Sequence, residues 1–136
     1  TCPLPQSLDI LDQSQIAYPS HLKDITYHKA IIALVKFAQK HRPIDKVIRA
    51  PHEHVEAVYD QMQKGLSTLP AWTVVFNSPF SEQHFEKTDE ELLEMAKKVM
   101  TEINIPLPSH EIQIKKWRFS RTKNPSNEKF FQAMQT

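Results

Sequence analysis

Apolar and polar positions along three segments of the chain are arranged as in β-strands. Residues 27–37, "YHKAIIALVKF", are aliphatic and β-branched on both faces, which is typical of a central strand covered on both sides. Residues 71–76, "AWTVVF", alternate with a period of two, as do residues 110–114 at the start of "HEIQIKKWRFS", residues 110–120. We therefore predict three strands at these positions.

Two other segments have helical spacing. The opening "TCPLPQSLDILDQS" begins extended and then predicts a short helix with three leucines on one stripe. "PHEHVEAVYDQMQKG" predicts a longer helix that starts at Pro51 and ends at Gly65, where glycine serves as the C-terminal cap. The apolar stripe of this second helix consists of Val55, Val58, Tyr59 and Met62.

The strongest helical pattern covers residues 88–105. Thr88 and Glu91 have the spacing of a capping box, in which each side chain accepts a hydrogen bond from the other's backbone. The core stripe that follows consists of Leu92, Met95, Ala96, Val99, Met100 and Ile103. Together the elements predict an α+β fold, a mixed and predominantly antiparallel sheet with two to four helices packed on it. We expect a single domain over residues 1–136, with a polar tail at 122–136.

The pattern of the last strand changes at its middle. The isoleucines at its start share one face, but Trp117 and Phe119 share the opposite face. A β-bulge at Lys115–Lys116 would account for the change and leave Trp117 in the core. Alternatively, the bulge directs Trp117 and Arg118 into a cleft beside the sheet. The residues by themselves favour the first interpretation.

Composition and charge exclude several classes of function. The net charge of +1 gives no overall attraction to nucleic acid or to acidic membranes, and the basic cluster at 115–123 is balanced elsewhere. The apolar run Ala30–Val35 is too short to cross a bilayer. Cys2 is the only cysteine, so the sequence has no internal disulfide and no cysteine-based zinc site. We expect a cytoplasmic protein that binds neither nucleic acid nor membrane.

Glycine and histidine bear on cofactor and metal binding. The single glycine, Gly65, excludes a dinucleotide fingerprint or a P-loop within this sequence, since both need several glycines. His52 and His54 would point about 200° apart on a helix and would not share a metal ion. His52 and Glu56 are four residues apart, so we predict a surface hydrogen bond between them and no metal site.

Four motifs, taken in order, give the chain a family resemblance. "TCPLPQSLDIL" matches a Thr-x-Pro-x-Pro-Gln segment, and "ITYHKAIIALV" matches an aliphatic strand that contains a tyrosine. Ser81 and His84 match an "S..H" element, and "KWR" at 116–118 matches a strand with a Lys/Arg-Trp-Arg motif. In this order and spacing the chain resembles the renalase-like branch of the FAD-dependent amine oxidoreductases. That family has more strand before "AWTVVF", whereas the pattern at 45–69 here predicts helix.

The resemblance implies that the chain is the substrate-side domain of a flavoenzyme. The family's glycine-rich flavin motif and its carboxy-terminal Gly-Asp segment are both absent from the sequence. We therefore expect FAD in the intact family fold but none on this chain alone, which would need the missing flavin-binding domain as partner and a small-molecule substrate. The resemblance gives no catalytic residue.

The resemblance also implies the positions of site residues. The candidates for the substrate cavity are Trp117, Arg118, Lys116 and Tyr27. Thr1 and Pro3 are the candidates for residues near the cofactor. In the intact fold, Lys116 and Arg118 would either bind an acidic group or brace the boundary between domains. The alternative interpretation is a non-catalytic α/β interaction module that binds a protein partner or self-associates, for example as a homodimer.

Overall fold

The computed structural model describes residues 2–38, 47–104 and 110–125. Its helices are α1 (Leu4–Gln13), α2 (Ser78–His84) and α3 (Asp89–Glu102), and a 3₁₀ turn covers Ser20–Asp24. Its strands are β1 (Tyr27–Phe37), β2 (Val47–His52), β3 (Val55–Asp60), β4 (Ala71–Phe76) and β5 (His110–Thr122). The predicted α+β fold is confirmed. Among the described residues, no helix has the length and apolar character needed to span a bilayer.

The five strands form one sheet in the order β2-β3-β4-β1-β5. The pairs β2–β3, β3–β4 and β4–β1 are antiparallel, and in the last of these Val35 lies opposite Trp72. β1 is an inner strand, as its sequence predicts. It is buried on both faces only over Ala30–Ala33, because Leu34 and Lys36 then alternate with buried neighbours.

Helices α2 and α3 share a hydrophobic core with one face of the sheet. Ile112 and Ile114 of β5 are partly buried against this core. The fully buried members with the largest side chains include Phe76, Ile31, Leu92 and Met100. The core cluster consists of Ile31, Ala33, Val35, Phe37, Val55, Val58, Trp72, Val74, Phe76, Phe80, Phe85, Leu92, Ala96, Val99 and Met100.

The chain divides into two compact units. The larger unit is Lys29–Arg118 and contains the core cluster. The smaller unit combines Thr1–His28 with Phe119–Thr136. Within it, the Asn124 side chain accepts a hydrogen bond from the Thr26 backbone N–H at 2.7 Å and donates one to the Asp24 carbonyl at 2.7 Å. These bonds join the two segments of the smaller unit.

The helix predicted from Pro51 to Gly65 is wrong, because this segment forms the end of β2, strand β3 and a turn. A register shift between Val55 and Ala57 puts Val55 and Val58 in the same core cluster, although they are three residues apart. A bulge changes strand parity in this way, and the resulting spacing imitates a helical period. Gly65 has φ +74° in the turn between β3 and β4, a conformation that favours glycine.

The predicted capping box of α3 is confirmed. The Thr88 hydroxyl accepts from the Glu91 backbone N–H at 3.2 Å, and the Glu91 carboxylate accepts from the Thr88 N–H at 3.0 Å. Helix α2 is not among the predicted elements. Its signals were present, because Asn77 caps the helix by accepting from the Phe80 N–H and a proline occupies the first turn.

Candidate functional site

The exposed tryptophan of β5 marks one surface of the larger unit. Trp117 is 56% exposed, whereas the other tryptophan, Trp72, is 7% exposed in the core cluster. Leu34 of β1, 38% exposed, alternates with core residues and therefore faces away from α2 and α3. We refer to this side of the sheet, within residues 29–118, as the outer face. Trp117 belongs to it by alternation along β5, since Ile112 and Ile114 pack against the core.

A cleft of about 370 Å³ opens on the outer face. Its lining residues are Leu34, Val35, Lys36, Gln61, Ala71, Trp72, Thr73, Glu111 and Gln113. The Gln61 side-chain N–H donates to the Thr73 hydroxyl at 2.8 Å. The Glu111 carboxylate accepts from the Gln113 side chain at 3.0 Å and lies 3.8 Å from the Lys36 ammonium group. The cleft thus combines an apolar floor with polar groups that already have partners.

Lys116 and Arg118 lie on the opposite side of β5 from Trp117. The Lys116 ammonium group donates to the Lys87 carbonyl at 2.9 Å and lies 3.5 Å from the Asp89 carboxylate. The Arg118 guanidinium group lies 3.9 Å from Glu86. Both cations therefore follow the same alternation as the isoleucines at the start of β5. These contacts brace β5 against the link between α2 and α3.

The remaining candidates belong to the smaller unit or lie outside the described residues. The ring of Tyr27 packs edge-on against Phe119 with centroids 5.6 Å apart. Pro3 is exposed at the N-terminal end of α1. Thr1 lies outside the described residues. Of the sequence-derived candidates, the larger unit therefore contains Lys116, Trp117 and Arg118.

The predicted separation of His52 and His54 is wrong, because His52 is the last residue of β2 and His54 lies in the turn between β2 and β3 rather than on a helix. Their ring centroids are 5.2 Å apart. The His52 Nδ1 accepts from the His54 backbone N–H, so its Nε2 carries the hydrogen and donates to the Glu102 carboxylate at 2.9 Å. The partner of this bond is thus Glu102 on α3 rather than the predicted Glu56.

A pocket of about 280 Å³ beside these histidines also contains His84. Its lining residues are His52, Glu53, His54, Phe80, His84, Met95, Lys98, Val99 and Glu102. Burial lowers the pKa of His84, and the nearby Lys87 and His54 lower it further. No group of three His, Cys, Asp or Glu side chains within residues 2–38, 47–104 and 110–125 could hold a metal ion.

Sequence reasoning missed two features of these sites. The outer-face cleft combines residues of the three strands β1, β4 and β5 with Gln61 from the turn after β3, and its polar residues have no common motif in the sequence. The histidine pocket depends on the β2–β3 hairpin, in a segment where the apolar spacing predicts a helix. A signal for the hairpin was available, because Val, Ile and Tyr are concentrated between residues 47 and 59 and favour strand.

Comparisons with known proteins do not extend these observations. The sequence matches no protein-family model, and a search of curated proteins gives no significant match.

Proposed function

We propose that this chain is the substrate-side part of an FAD-dependent oxidoreductase similar to the renalase-like branch of the amine oxidoreductases. The observation that carries the proposal is the exposure of Trp117, the central residue of the Lys-Trp-Arg motif, on the outer face. Tryptophan is enriched at interfaces, where another protein segment or a ligand covers the ring. In the proposed enzyme, a flavin-binding domain covers this face in a cytoplasmic protein.

The order of elements supports the proposal. β1, β4 and β5 lie where the family resemblance requires strands, and β2 and β3 supply additional strand before β4. Ser81 of the "S..H" element is fully buried, and its hydroxyl accepts from the Ile31 N–H at 3.0 Å. This hydrogen bond joins α2 to β1, which explains structurally why the motif has a serine at this position.

The residues of this chain do not fit a flavin cradle. Its one glycine, Gly65, lies in the turn between β3 and β4, and nothing lies within 4 Å of the position that a Cβ atom would occupy there. The glycines of a dinucleotide fingerprint allow the backbone to approach pyrophosphate closely. No such close approach occurs at Gly65, because the space beside it is open. We therefore assign this chain the binding and orientation of a small-molecule substrate, with the outer-face cleft as its site.

Flanking coding sequence gives a direct test. The proposal expects a glycine-rich fingerprint after a strand upstream of residue 1 and a Gly-Asp segment downstream of residue 136. An open reading frame that contains neither would refute it. A titration adds a second test, because the 136-residue chain should purify colourless and bind no FAD at micromolar concentration. Stoichiometric flavin absorbance on this chain would contradict the assignment of the cofactor site to another segment.

An interaction module is the second candidate function. Leu66 and Leu69, 69% and 55% exposed, lie in the segment between β3 and β4 and offer an apolar contact for a protein partner or a second copy. Sedimentation velocity can separate this candidate from the first. Self-association that Leu66→Ser with Leu69→Ser abolishes, in a chain with no flanking flavin motif, would favour the interaction module. A monomer at high concentration would count against the homodimer.

A further inference from the structure

The facing of β5, by which we mean which of its side chains lie on the core side of the sheet, is not the one that hydrophobicity alone predicts. Trp117 and Phe119 are larger and more apolar than Lys116 and Arg118, yet the two cations lie on the side of the core cluster. Because side chains alternate along a strand, a bulge between Ile114 and Lys116 would exchange the two pairs and leave the isoleucines in place. That exchange would bury Trp117 beside the isoleucines of β5. Something in the fold must favour the observed facing.

We propose that Lys29, Phe85, Glu86 and Arg118, which we refer to as the Phe85 clamp, fix the facing of β5 and so present Trp117 on the outer face. The inference concerns residues that position Trp117 rather than residues that touch a ligand. Its functional meaning rests on the proposed function, because it concerns the same outer face. Its geometric content does not depend on any flavin.

The contacts of the clamp converge on one buried ring. The Lys29 ammonium group lies 4.8 Å and the Arg118 guanidinium carbon 5.2 Å from the centroid of the Phe85 ring. Phe85 is itself part of the core cluster, so its position is fixed by packing. Cations near an aromatic face are attracted by its quadrupole. Phe85 thus provides a site for Arg118 at the edge of an otherwise apolar core.

A carboxylate completes the clamp. Glu86 lies 3.1 Å from the Lys29 ammonium group and 3.9 Å from Arg118, and the hydrogen bond from Lys29 lowers its pKa. Lys116 extends the same set of contacts to the Lys87 carbonyl and Asp89. In the exchanged arrangement Arg118 and Lys116 would lose these partners. The charge at position 86 should therefore select between the two facings.

Fluorescence of Trp117 can report its side of the sheet. In a Trp72→Phe background, Trp117 is the only tryptophan, and Phe at position 72 keeps an aromatic ring against Phe37. We expect an emission maximum typical of exposed indole and efficient quenching by acrylamide. Adding Glu86→Lys replaces the carboxylate of the clamp with a third cation. We expect the emission to shift to the blue and the quenching constant to fall about two-fold or more.

Two controls make the result specific to the clamp. Glu90→Lys makes the same charge change at another exposed carboxylate near the start of α3 and should leave both fluorescence values unchanged. Arg118→Glu combined with Glu86→Lys restores an opposite-charge pair and should return quenching toward the background value. Circular dichroism establishes that each variant is folded. If Glu86→Lys does not fold, Glu86→Gln takes its place, with a smaller shift expected.

The outcomes decide the inference. Quenching and emission that stay at background values in folded Glu86→Lys, or in Glu86→Gln where the lysine variant does not fold, would overturn the clamp. An equal change in Glu90→Lys would also overturn it, because the effect would then be one of net charge. The result is independent of the flanking sequence that tests the proposed function, so either can fail while the other holds.

Discussion

The two tryptophans of the chain should differ greatly in their contribution to stability. Trp72 packs edge-on against Phe37 with ring centroids 5.0 Å apart and is almost completely buried. Trp117 leaves more than half of its surface exposed on the outer face. The perturbation is therefore the same substitution, Trp→Ala, at two positions of one sheet. The comparison removes the chemistry of the side chain as a variable and leaves burial.

Burial sets the expected magnitudes. Deleting a fully buried tryptophan costs about 3–5 kcal/mol, which is the range we expect for Trp72→Ala. A large aromatic buries up to about 250 Å² when it is fully covered, so Trp117 buries roughly 100 Å². At about 25 cal/mol per Å² this area contributes up to about 2.5 kcal/mol. Alanine retains part of that area, and we therefore expect Trp117→Ala to cost about 1–2 kcal/mol.

Urea denaturation followed by far-ultraviolet circular dichroism gives both values without a tryptophan signal. Trp72→Phe serves as the milder control if Trp72→Ala leaves too little stability to fold, since whole domains hold only about 5–15 kcal/mol. The expected order is a clear midpoint shift for position 72 and a small one for position 117. Equal losses at the two positions would refute the reasoning, because Trp117 would then behave as a core residue.

Three further predictions follow from individual contacts. Thr88→Ala should cost about 1 kcal/mol by removing the N-cap of α3, and Glu91→Ala should cost less; unchanged urea midpoints in both would contradict the role of the capping box. Ser81→Ala should cost about 1–3 kcal/mol, because the buried Ile31 N–H loses its acceptor. A urea midpoint equal to that of an exposed control such as Gln83→Ala would contradict this expected loss. The pKa of His84 is lowered from 6.5 in the folded state, so the folded protein binds fewer protons than the unfolded chain. The stability that neutral His84 contributes is present above pH 6.5 and is lost as the pH falls through the folded pKa. His84→Gln should therefore make the free energy of unfolding less dependent on pH below 6.5. Identical pH profiles for His84→Gln and the unsubstituted protein would contradict this prediction.

The sequence determined those elements whose periodicity is local and whose ends have their own chemical signals. Helix α3 combines a capping box with a core stripe, and both depend only on residues within one helix. Strands β1 and β4 are rich in β-branched and aromatic residues, which favour strand over helix, and both match the predicted bounds. The α+β fold follows from these elements.

Tertiary structure decided the features that depend on pairing between distant segments. The bulge in β3 exists in relation to β4, and its changed parity gave residues 51–65 a false helical period. The facing of β5 depends on Phe85 and Glu86, about thirty residues away, which supply partners for cations that hydrophobicity alone would place outside. Local pattern records the preference of each residue, whereas only the assembled sheet and helices determine which partner each side chain finds.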